Sequence, residues 1–324
     1  MHEVKHLQQL VEVQLQAIEL SNRPSELYDP IRYMLSLGGK RMRPVLLLMS
    51  HQLFKENLDI AIGPALGIEV FHNFTLLHDD IMDKAPLRRN QPTVHAKWNQ
   101  DIAILSGDTM FVKACQLMMQ TESEKMKFVL DEFFKTAVEV CEGQQLDMNF
   151  ETQSAVTIED YVEMITLKTA VLLGCSLKIG AITGGASLQD AERLYHFGKD
   201  LGIAFQLHDD VLDAYGDPLK FGKQVGGDII ANKKTFLLLN AMKKATGEMA
   251  NELNHWLTVK DFDPAEKVNA VKNIFDQLGV KELAEQALED YFQNALKALE
   301  AVPVDASRKR NLLNLAEGLM VRES

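Results

Sequence analysis

The chain has 324 residues, of which 46% are hydrophobic and 25% are charged, a composition that fits a soluble globular protein and excludes disordered and fibrous classes. Its 46 acidic and 34 basic residues give a formal charge of -12, which argues against nucleic acid and anionic membrane surfaces as partners. Three cysteines without metal-ligand spacing, a polar N-terminus and the absence of a ~20-residue apolar run predict a cytoplasmic protein without an integral membrane segment.

Apolar residues recur at three- and four-residue steps along most of the chain, whereas the alternating runs typical of strands are rare. This pattern predicts an all-α protein. No linker rich in Pro, Gly or Ser interrupts it, so the sequence predicts one domain over residues 1–324. The predicted helices, in chain order, cover residues 4–21, 24–36, 44–54, 60–82, 101–120, 124–149, 157–184, 188–215, 234–245, 263–278, 280–299 and 307–321.

Two nearly identical acidic motifs, HDDIMD at residues 78–83 and HDDVLD at residues 208–213, end two of these helices. Because residues i and i+4 share one helix face, each motif pairs its first and last aspartates. Paired carboxylates repel one another unless a cation neutralises them, and oxygen ligands select Mg²⁺ or Mn²⁺. A single motif is more often a solvated helix end, but two copies in apolar helices favour a metal site that binds a diphosphate.

Basic residues that could bind a diphosphate are concentrated around the motifs, although the protein is acidic overall. Any one of them alone would be interpreted as a surface residue. Gly38 and Gly39 allow the backbone to approach a phosphate closely, and arginines can bind it in a bidentate manner. The candidates are the loop GGKRMRP at residues 38–44, Arg88, Arg89, Lys168, Lys223 and Lys233.

Together these residues, with GQxxD at residues 143–147 and Asn232, resemble the trans-isoprenyl diphosphate synthases, or polyprenyl synthetase family, of the short-chain farnesyl or geranylgeranyl type. The resemblance extends over nearly the whole chain. It implies a bundle of antiparallel helices around a deep central cavity, with the two aspartate motifs facing each other across the mouth. It also implies a homodimer and about three Mg²⁺ ions per site.

The resemblance assigns roles by position. The residues implied to bind isopentenyl diphosphate are Lys40, Arg43, His72 and Arg89. Those implied to bind the allylic diphosphate are Arg88, Lys168, Thr169, Gln206, Lys223 and Lys233. The implied metal ligands are Asp79, Asp83, Asp209 and Asp213, and the residues implied in catalysis are Asp79, Asp83, Asp209 and Lys168. Supporting positions beside the motifs are assigned to His78 and His208.

The implied reaction is the head-to-tail condensation of isopentenyl diphosphate with dimethylallyl, geranyl or farnesyl diphosphate. Cations that grip the allylic diphosphate stabilise it as a leaving group. The residues implied to limit product length are Phe74 and Thr75, five and four positions before Asp79. A bulky ring at Phe74 resembles enzymes that make C15 or C20 products, and plain core packing is the alternative interpretation of Phe74. The first motif lacks the two-residue insertion common in bacterial farnesyl synthases, which favours C20.

Three other functions stay open on the sequence. A type I terpene cyclase shares the first motif, but Asp213 and the loop at residues 38–44 argue against it. An HD-type phosphohydrolase could be inferred from the His-Asp pairs that begin the two motifs. A non-catalytic regulatory subunit of a heteromeric synthase would typically lose aspartates, and all six are present here.

Overall fold

The computed structural model describes residues 3–153, 155–216 and 226–320, which are almost entirely helical, so the predicted all-α class is confirmed. Within these ranges the strands are confined to a two-residue hairpin, β1 (Leu87–Arg88) and β2 (Gln91–Pro92). The helices of the N-terminal half are α1 (Val4–Gln16), α2 (Ser25–Ser36), α3 (Met42–Gln52), α4 (Asp59–Met82), α5 (Val94–Lys97), α6 (Gln100–Met118) and α7 (Ser123–Thr152). Those that follow are α8 (Ile158–Ile165), α9 (Val171–Gly184), α10 (Leu188–Tyr215), α11 (Gly227–Ile230), α12 (Phe236–Lys244), α13 (Gly247–Thr258), α14 (Pro264–Leu278), α15 (Val280–Glu300) and α16 (Ala306–Met320).

The structure departs from the predicted helices at one interruption and in three helices, α5, α11 and α13, that lie where none was predicted. The helix predicted over 157–184 is interrupted by a π-helical turn, Thr166–Ala170, between α8 and α9. Helix α13 lies where no helix was predicted, and Leu253 is its one buried residue. Such π-helical turns are frequent at functional sites.

The chain divides into two compact units, each assembled from segments that are distant in sequence. Unit 1 contains Met1–Thr136, Leu173–Tyr195 and Val302–Leu312. Unit 2 contains Ala137–Leu172, His196–Ala301 and Leu313–Ser324. The first acidic motif belongs to unit 1 and the second to unit 2, and the single domain over 1–324 stays a prediction.

In unit 1, helix α4 carries the first acidic motif and packs closely against α6. The approach depends on Gly107, where an added Cβ would lie 2.2 Å from Nε2 of His78. Helix α6 begins at Asn99, whose side chain accepts a hydrogen bond from the N–H of Ile102. The C-terminal end of α4 is therefore fixed by close packing against a capped neighbour.

In unit 2, the helices that surround the second motif begin at well-formed caps. Thr157 and Asp160 form a reciprocal capping box at the start of α8. Thr235 caps α12, and Asp263 caps α14 ahead of Pro264 in its first turn. The caps fix the entry points of helices whose apolar faces share one core, which contains Tyr161, Leu207, Phe236, Val271 and Phe275.

Two helical segments are long and apolar enough to cross a membrane, Asp59–Met82 and Ile158–Gly184. About two thirds of each apolar window is buried inside the protein (67% and 72%). Core helices of soluble proteins have the same length and composition, and the burial fits that explanation.

Candidate functional site

The first acidic motif forms the C-terminal turn of α4, where Asp83 is the C-cap residue and its N–H donates to the carbonyl of Asp79. The Asp79 side chain is 20% exposed, and Asp83 is exposed. One helical turn separates the two carboxylates, as the sequence predicted. They are therefore accessible enough to share a cation.

Asp80, between these two, is buried and held by Arg88 of strand β1. The Nε of Arg88 donates to both carboxylate oxygens of Asp80, at 2.9 and 2.8 Å. Its Nη2 lies 3.3 Å from Oδ2 of Asp79. Burial raises the pKa of Asp80, and the hydrogen bonds and charge of Arg88 oppose that rise. Arg88, predicted as a substrate ligand, thus also fixes the hairpin to the first motif.

Arg43 and His72 form a buried pair on the facing helices α3 and α4. Nη1 of Arg43 lies 3.1 Å from Nε2 of His72, so His72 accepts and carries its proton on Nδ1. Burial, reinforced by the charge of Arg43, lowers the pKa of His72 well below its ordinary value. Burial also lowers the pKa of Arg43 to about 10, which still leaves it charged at neutral pH. The Nε of Arg43 is buried without a hydrogen-bond partner among the described residues. Buried donors normally have a partner, so this N–H is available to a bound anion.

Arg89 lies against the glycine loop that carries Lys40. Its guanidinium donates to the carbonyl of Gly38, and an added Cβ at Gly39 would lie 2.7 Å from its Nη2. Gly38 and Gly39 both have positive φ, 77° and 134°, which favours glycine. The structure thus brings the arginine and the loop together, and Lys40 is exposed at the end of this turn.

Phe74 belongs to an aromatic cluster of α4, α6 and α7. Its ring centroid lies 5.7 Å from that of Phe71 and 5.4 Å from that of Phe111. Phe71 in turn contacts Phe133 at 5.2 Å. The hydroxyl of Thr75 donates to the carbonyl of His72 within its own helix. Sequence reasoning missed Phe111 and Phe133, because nothing in their local sequence marks them as neighbours of Phe74.

The second acidic motif has the same layout at the end of α10. Asp209 and Asp213 are partly buried, whereas Asp210 is only 5% exposed. The hydroxyl of Tyr161 donates to Asp210, and burial raises the pKa of that carboxyl to about 7. Oδ2 of Asp213 accepts from the N–H of Asp228 at 2.9 Å, which ties the motif to the start of α11.

Lys168 lies in the π-turn between α8 and α9. Its Nζ donates to Oδ2 of Asp147 at 2.5 Å. Helix α7 approaches this turn at Gly143, where an added Cβ would lie 2.2 Å from the backbone nitrogen of Lys168. The predicted residues Thr169 and Gln206 are partly buried. The GQxxD segment therefore supplies both a close approach and a partner for Lys168.

Lys233 belongs with Lys168, Thr169 and Gln206 to a group of polar residues that we call the second cluster. Its Nζ lies 3.9 Å from Oδ1 of Asp228. Burial alone would lower the pKa of Lys233, but the negative charges of Asp228 and Asp147 raise it above its ordinary value. Lys233 therefore stays charged. Lys223, also predicted as an allylic ligand, lies outside the described residues.

Lys267 was not anticipated from sequence. It is completely buried, and its Nζ donates to Oδ1 of Asn232 at 2.6 Å and to the carbonyl of Ile230 at 3.2 Å. Asn232 has a left-handed backbone, with φ of 54°. A buried lysine is unusual in a soluble protein, and α14 gives no local sign that this one faces inward.

The donor groups of the two motifs fit Mg²⁺ better than a soft metal. Within residues 3–153, 155–216 and 226–320, no group of three or more His, Cys, Asp and Glu side chains is arranged to hold a metal ion. Mg²⁺ needs fewer protein ligands, since it usually keeps several waters and binds one or two carboxylates together with substrate phosphates. The pairs Asp79 with Asp83 and Asp209 with Asp213 provide that donor set.

The chain is similar to known proteins in both sequence and structure. Residues 24–276 match the family described as Polyprenyl synthetase. The chain is 36% identical over 323 residues to the geranylgeranyl diphosphate synthase of Methanosarcina mazei, covering 99% of this chain and 97% of the relative. It is 36% identical over 319 residues to the geranylfarnesyl diphosphate synthase of Natronomonas pharaonis, covering 93% and 91%. A crystal structure of a geranylgeranyl pyrophosphate synthase is similar over 100% of both chains, with a TM-score of 0.94 and 43% identity.

Proposed function

The chain belongs to the polyprenyl synthetase family, and from that premise we propose that it synthesises the C20 product geranylgeranyl diphosphate. It is a short-chain trans-prenyltransferase of isoprenoid biosynthesis, so the predicted enzyme class is confirmed. Its substrates are isopentenyl diphosphate and an allylic diphosphate, and the family is generally Mg²⁺-dependent. One observation carries the assignment of the site: each acidic motif buries its middle aspartate and leaves the outer pair more accessible.

We call Lys40, Arg43, His72 and Arg89 the first cluster. This cluster is proposed to bind isopentenyl diphosphate. Arg43 has an unpartnered buried Nε that can donate to a phosphate oxygen. His72, kept neutral by burial and by Arg43, can donate from Nδ1. Lys40 and Arg89 add positive charge from either side of the glycine turn. These contacts would hold the diphosphate without contributing to bond cleavage.

The second cluster is proposed to bind the allylic diphosphate. Lys168 and Lys233 supply the charges that stabilise the leaving group, with Thr169 and Gln206 as polar partners and Lys223 assigned by resemblance alone. Arg88, assigned by sequence to the same diphosphate, would act from its place beside Asp79. Lys168 would exchange its contact with Asp147 for a phosphate oxygen when substrate binds.

Mg²⁺ would be held by Asp79, Asp83, Asp209 and Asp213, with about three ions per site as the resemblance implies. When bound, Mg²⁺ neutralises the diphosphate and makes it a better leaving group. The allylic C–O bond breaks and its electron pair leaves with the diphosphate. The double bond of isopentenyl diphosphate then forms the new C–C bond, and a proton is lost to the departing diphosphate. In this scheme Lys168 and Lys233 stabilise the charge that develops on that diphosphate.

Incubation of the purified chain with isopentenyl diphosphate, each allylic primer and Mg²⁺, followed by chromatography, tests the proposal. A C20 diphosphate supports it. A C15 or C25 diphosphate would contradict the chain length while leaving the prenyl transfer intact. A cyclic hydrocarbon would indicate a terpene cyclase, and free phosphate alone would indicate a phosphohydrolase.

We also propose that the chain forms a homodimer, because α6 and its C-cap residue carry an exposed apolar stripe. Leu105, Val112 and Met119 are 59%, 56% and 55% exposed. They recur every seven residues, so they share one face, which is the pattern of a helix that pairs with another helix. A second copy of this chain would bury that face.

We expect Leu105→Glu with Val112→Glu to give a monomer by light scattering, whereas Leu283→Glu, at a leucine on α15 that is 40% exposed, should not. An unchanged mass in the α6 variant would contradict this interface.

A cytoplasmic location is proposed on the state of the cysteines. Cys115, Cys141 and Cys175, all within the described residues, form no disulfide with one another, and unoxidised cysteines are typical of a reducing compartment. Recovery of the enzyme in the soluble cytoplasmic fraction after cell lysis would support this location, and recovery in the membrane fraction would contradict it.

A further inference from the structure

Helix α1 contacts the loop that presents the proposed isopentenyl diphosphate ligands. Nε2 of Gln8 donates to the carbonyl of Lys40 at 2.8 Å. One turn later, Oε2 of Glu12 accepts from Nε of Arg41 at 3.0 Å. The family match begins at residue 24, so this helix lies before the part of the chain that defines the family. A role of α1 in the site therefore does not follow from the family match alone.

Arg41 is the buried centre of these contacts. Its side chain is only 2% exposed, and its Nη1 pairs with Oε1 of Glu69 at 2.8 Å. Its Nη2 donates to the carbonyl of Leu35 at 2.7 Å. All three guanidinium nitrogens are thus used inside the protein. Arg41 therefore faces away from any substrate, unlike its neighbours Lys40 and Arg43.

The loop needs such external support because its backbone is intrinsically unfavourable. Arg41 itself has a left-handed φ of 48°, a conformation that costs a non-glycine residue about 1–2 kcal/mol. Gly38 and Gly39, also at positive φ, precede it, and glycines add freedom rather than rigidity. Side-chain hydrogen bonds from outside the loop therefore fix the direction in which Lys40 and Arg43 leave the chain.

Helix α1 is well placed to give that support because it is firmly anchored. Leu7, Val11 and Leu15, spaced four residues apart, are 0%, 1% and 4% exposed. This apolar stripe fixes the rotation of the helix and so the positions of Gln8 and Glu12. The polar contacts are made from a rigid element and not from a loose terminus.

We propose that α1 is a positioning element for isopentenyl diphosphate, with Gln8 and Glu12 acting through the backbone of Lys40 and the side chain of Arg41. The inference rests on the proposed function, in which Lys40 and Arg43 bind that diphosphate. Without α1 the cations remain but are no longer held in one direction. The effect should therefore fall on the KM for isopentenyl diphosphate.

The test is the double variant Gln8→Leu with Glu12→Gln, assayed as the full chain. We expect its KM for isopentenyl diphosphate to rise about tenfold, equivalent to about 1.4 kcal/mol, with kcat and the KM for the allylic diphosphate changed less than about twofold. The matched control is Gln9→Leu with Glu19→Gln, which makes the same changes at exposed positions. An unchanged KM for isopentenyl diphosphate, or equal changes in both KM values, or the same effect in the control, would overturn the proposal.

A third variant, Arg43→Gln, separates this inference from the proposed function. If Arg43→Gln raises the KM for isopentenyl diphosphate and the α1 variant does not, the assignment of the site survives and the positioning role of α1 is wrong. If Arg43→Gln has no effect on that KM, the assigned site itself is wrong. Thermal unfolding of every variant shows whether a loss of fold, and not of positioning, explains the kinetics.

Discussion

Asp80 and Asp210 occupy the same position in two motifs of the same spacing, yet Asp80 is buried against a guanidinium and Asp210 against a phenol. Arg88 lies eight residues after Asp80 and brings a full positive charge. Tyr161 lies 49 residues before Asp210 and brings none. Burial raises the pKa of Asp210 to about 7, although the hydrogen bond from Tyr161 opposes that rise. The outer aspartates can have the same function in both motifs while the inner ones use different chemistry to hold the helix end in place.

The two motifs share the spacing of their aspartates but differ in the residues that stabilise the buried inner one. The first motif is neutralised locally, by an arginine on the adjoining hairpin. The second depends on α8 and on the neighbouring Lys233, which the charges of Asp228 and Asp147 keep protonated. We therefore expect substitutions of outer aspartates to behave alike in the two motifs and substitutions of inner ones to differ.

The largest expected effect tests the likeness of the outer aspartates. We expect Asp79→Ala and Asp209→Ala each to lower kcat by roughly 10²–10³, because each removes a proposed metal ligand. Steady-state turnover with saturating Mg²⁺ measures the loss, and circular dichroism checks the fold. Asp131→Ala, at an exposed aspartate of α7, is the control. Near-normal activity in either variant would contradict the metal assignment for that motif.

A glycine on α7 distinguishes the second cluster from the first. In Gly143→Ala the new methyl group would lie 2.2 Å from the nitrogen of Lys168, so the π-turn must shift. We expect a loss of about 1–3 kcal/mol in the free energy of unfolding. We also expect the KM for the allylic diphosphate to rise more than that for isopentenyl diphosphate, because only Lys168 is displaced.

The matched control for that glycine is Gly318→Ala on α16, where the added methyl would meet nothing within 4 Å. It should leave both KM values unchanged and stabilise the helix by about 0.5–1 kcal/mol. Equal effects of Gly143→Ala on the two KM values would argue against a separate allylic site at Lys168.

The inner aspartates test the contrast itself. Asp80→Asn keeps an acceptor for Arg88 but removes the opposing charge, so we expect it to cost about 1.5–3 kcal/mol of unfolding free energy. Asp210→Asn keeps an acceptor for Tyr161 and removes a carboxylate that burial already disfavours, so it should cost less than about 1 kcal/mol. Chemical denaturation at pH 7 measures both. Equal costs would mean that the charge of Arg88 contributes little.

Local spacing was enough to predict which aspartates share a helix face. Asp79 with Asp83, and Asp209 with Asp213, followed from the helical repeat, and the helices that carry them were predicted to within a few residues. The resemblance implied only that Arg43 and His72 bind the same diphosphate, and their direct contact across 29 residues was not predicted.

Roles that depend on tertiary contacts could not be predicted from local sequence patterns. Arg41 was grouped with the basic loop, yet it is buried with Glu69, because a cation in a basic run has no local sign of its burial. Tyr161 and Lys267 act across 49 and 35 residues, distances that no helical or strand period spans. The π-turn at Lys168 depends on α7 approaching through Gly143, which a continuous apolar pattern conceals.

The smallest expected effect concerns protonation in the first cluster. The pKa of His72 is lowered well below its unfolded value of 6.5, since burial and Arg43 disfavour its charged form. Below pH 6.5 the unfolded chain therefore binds a proton that the folded protein does not, and stability falls as the pH falls, by at most about 1.4 kcal/mol per pH unit. Above pH 6.5 the contribution is constant. His72→Gln, which can still accept from Arg43, should lose less stability than the wild type between pH 7.5 and pH 5.5 in parallel denaturation curves. An identical loss in both proteins would show that His72 does not set this pH dependence, and the contrast between the clusters would then rest on their aspartates alone.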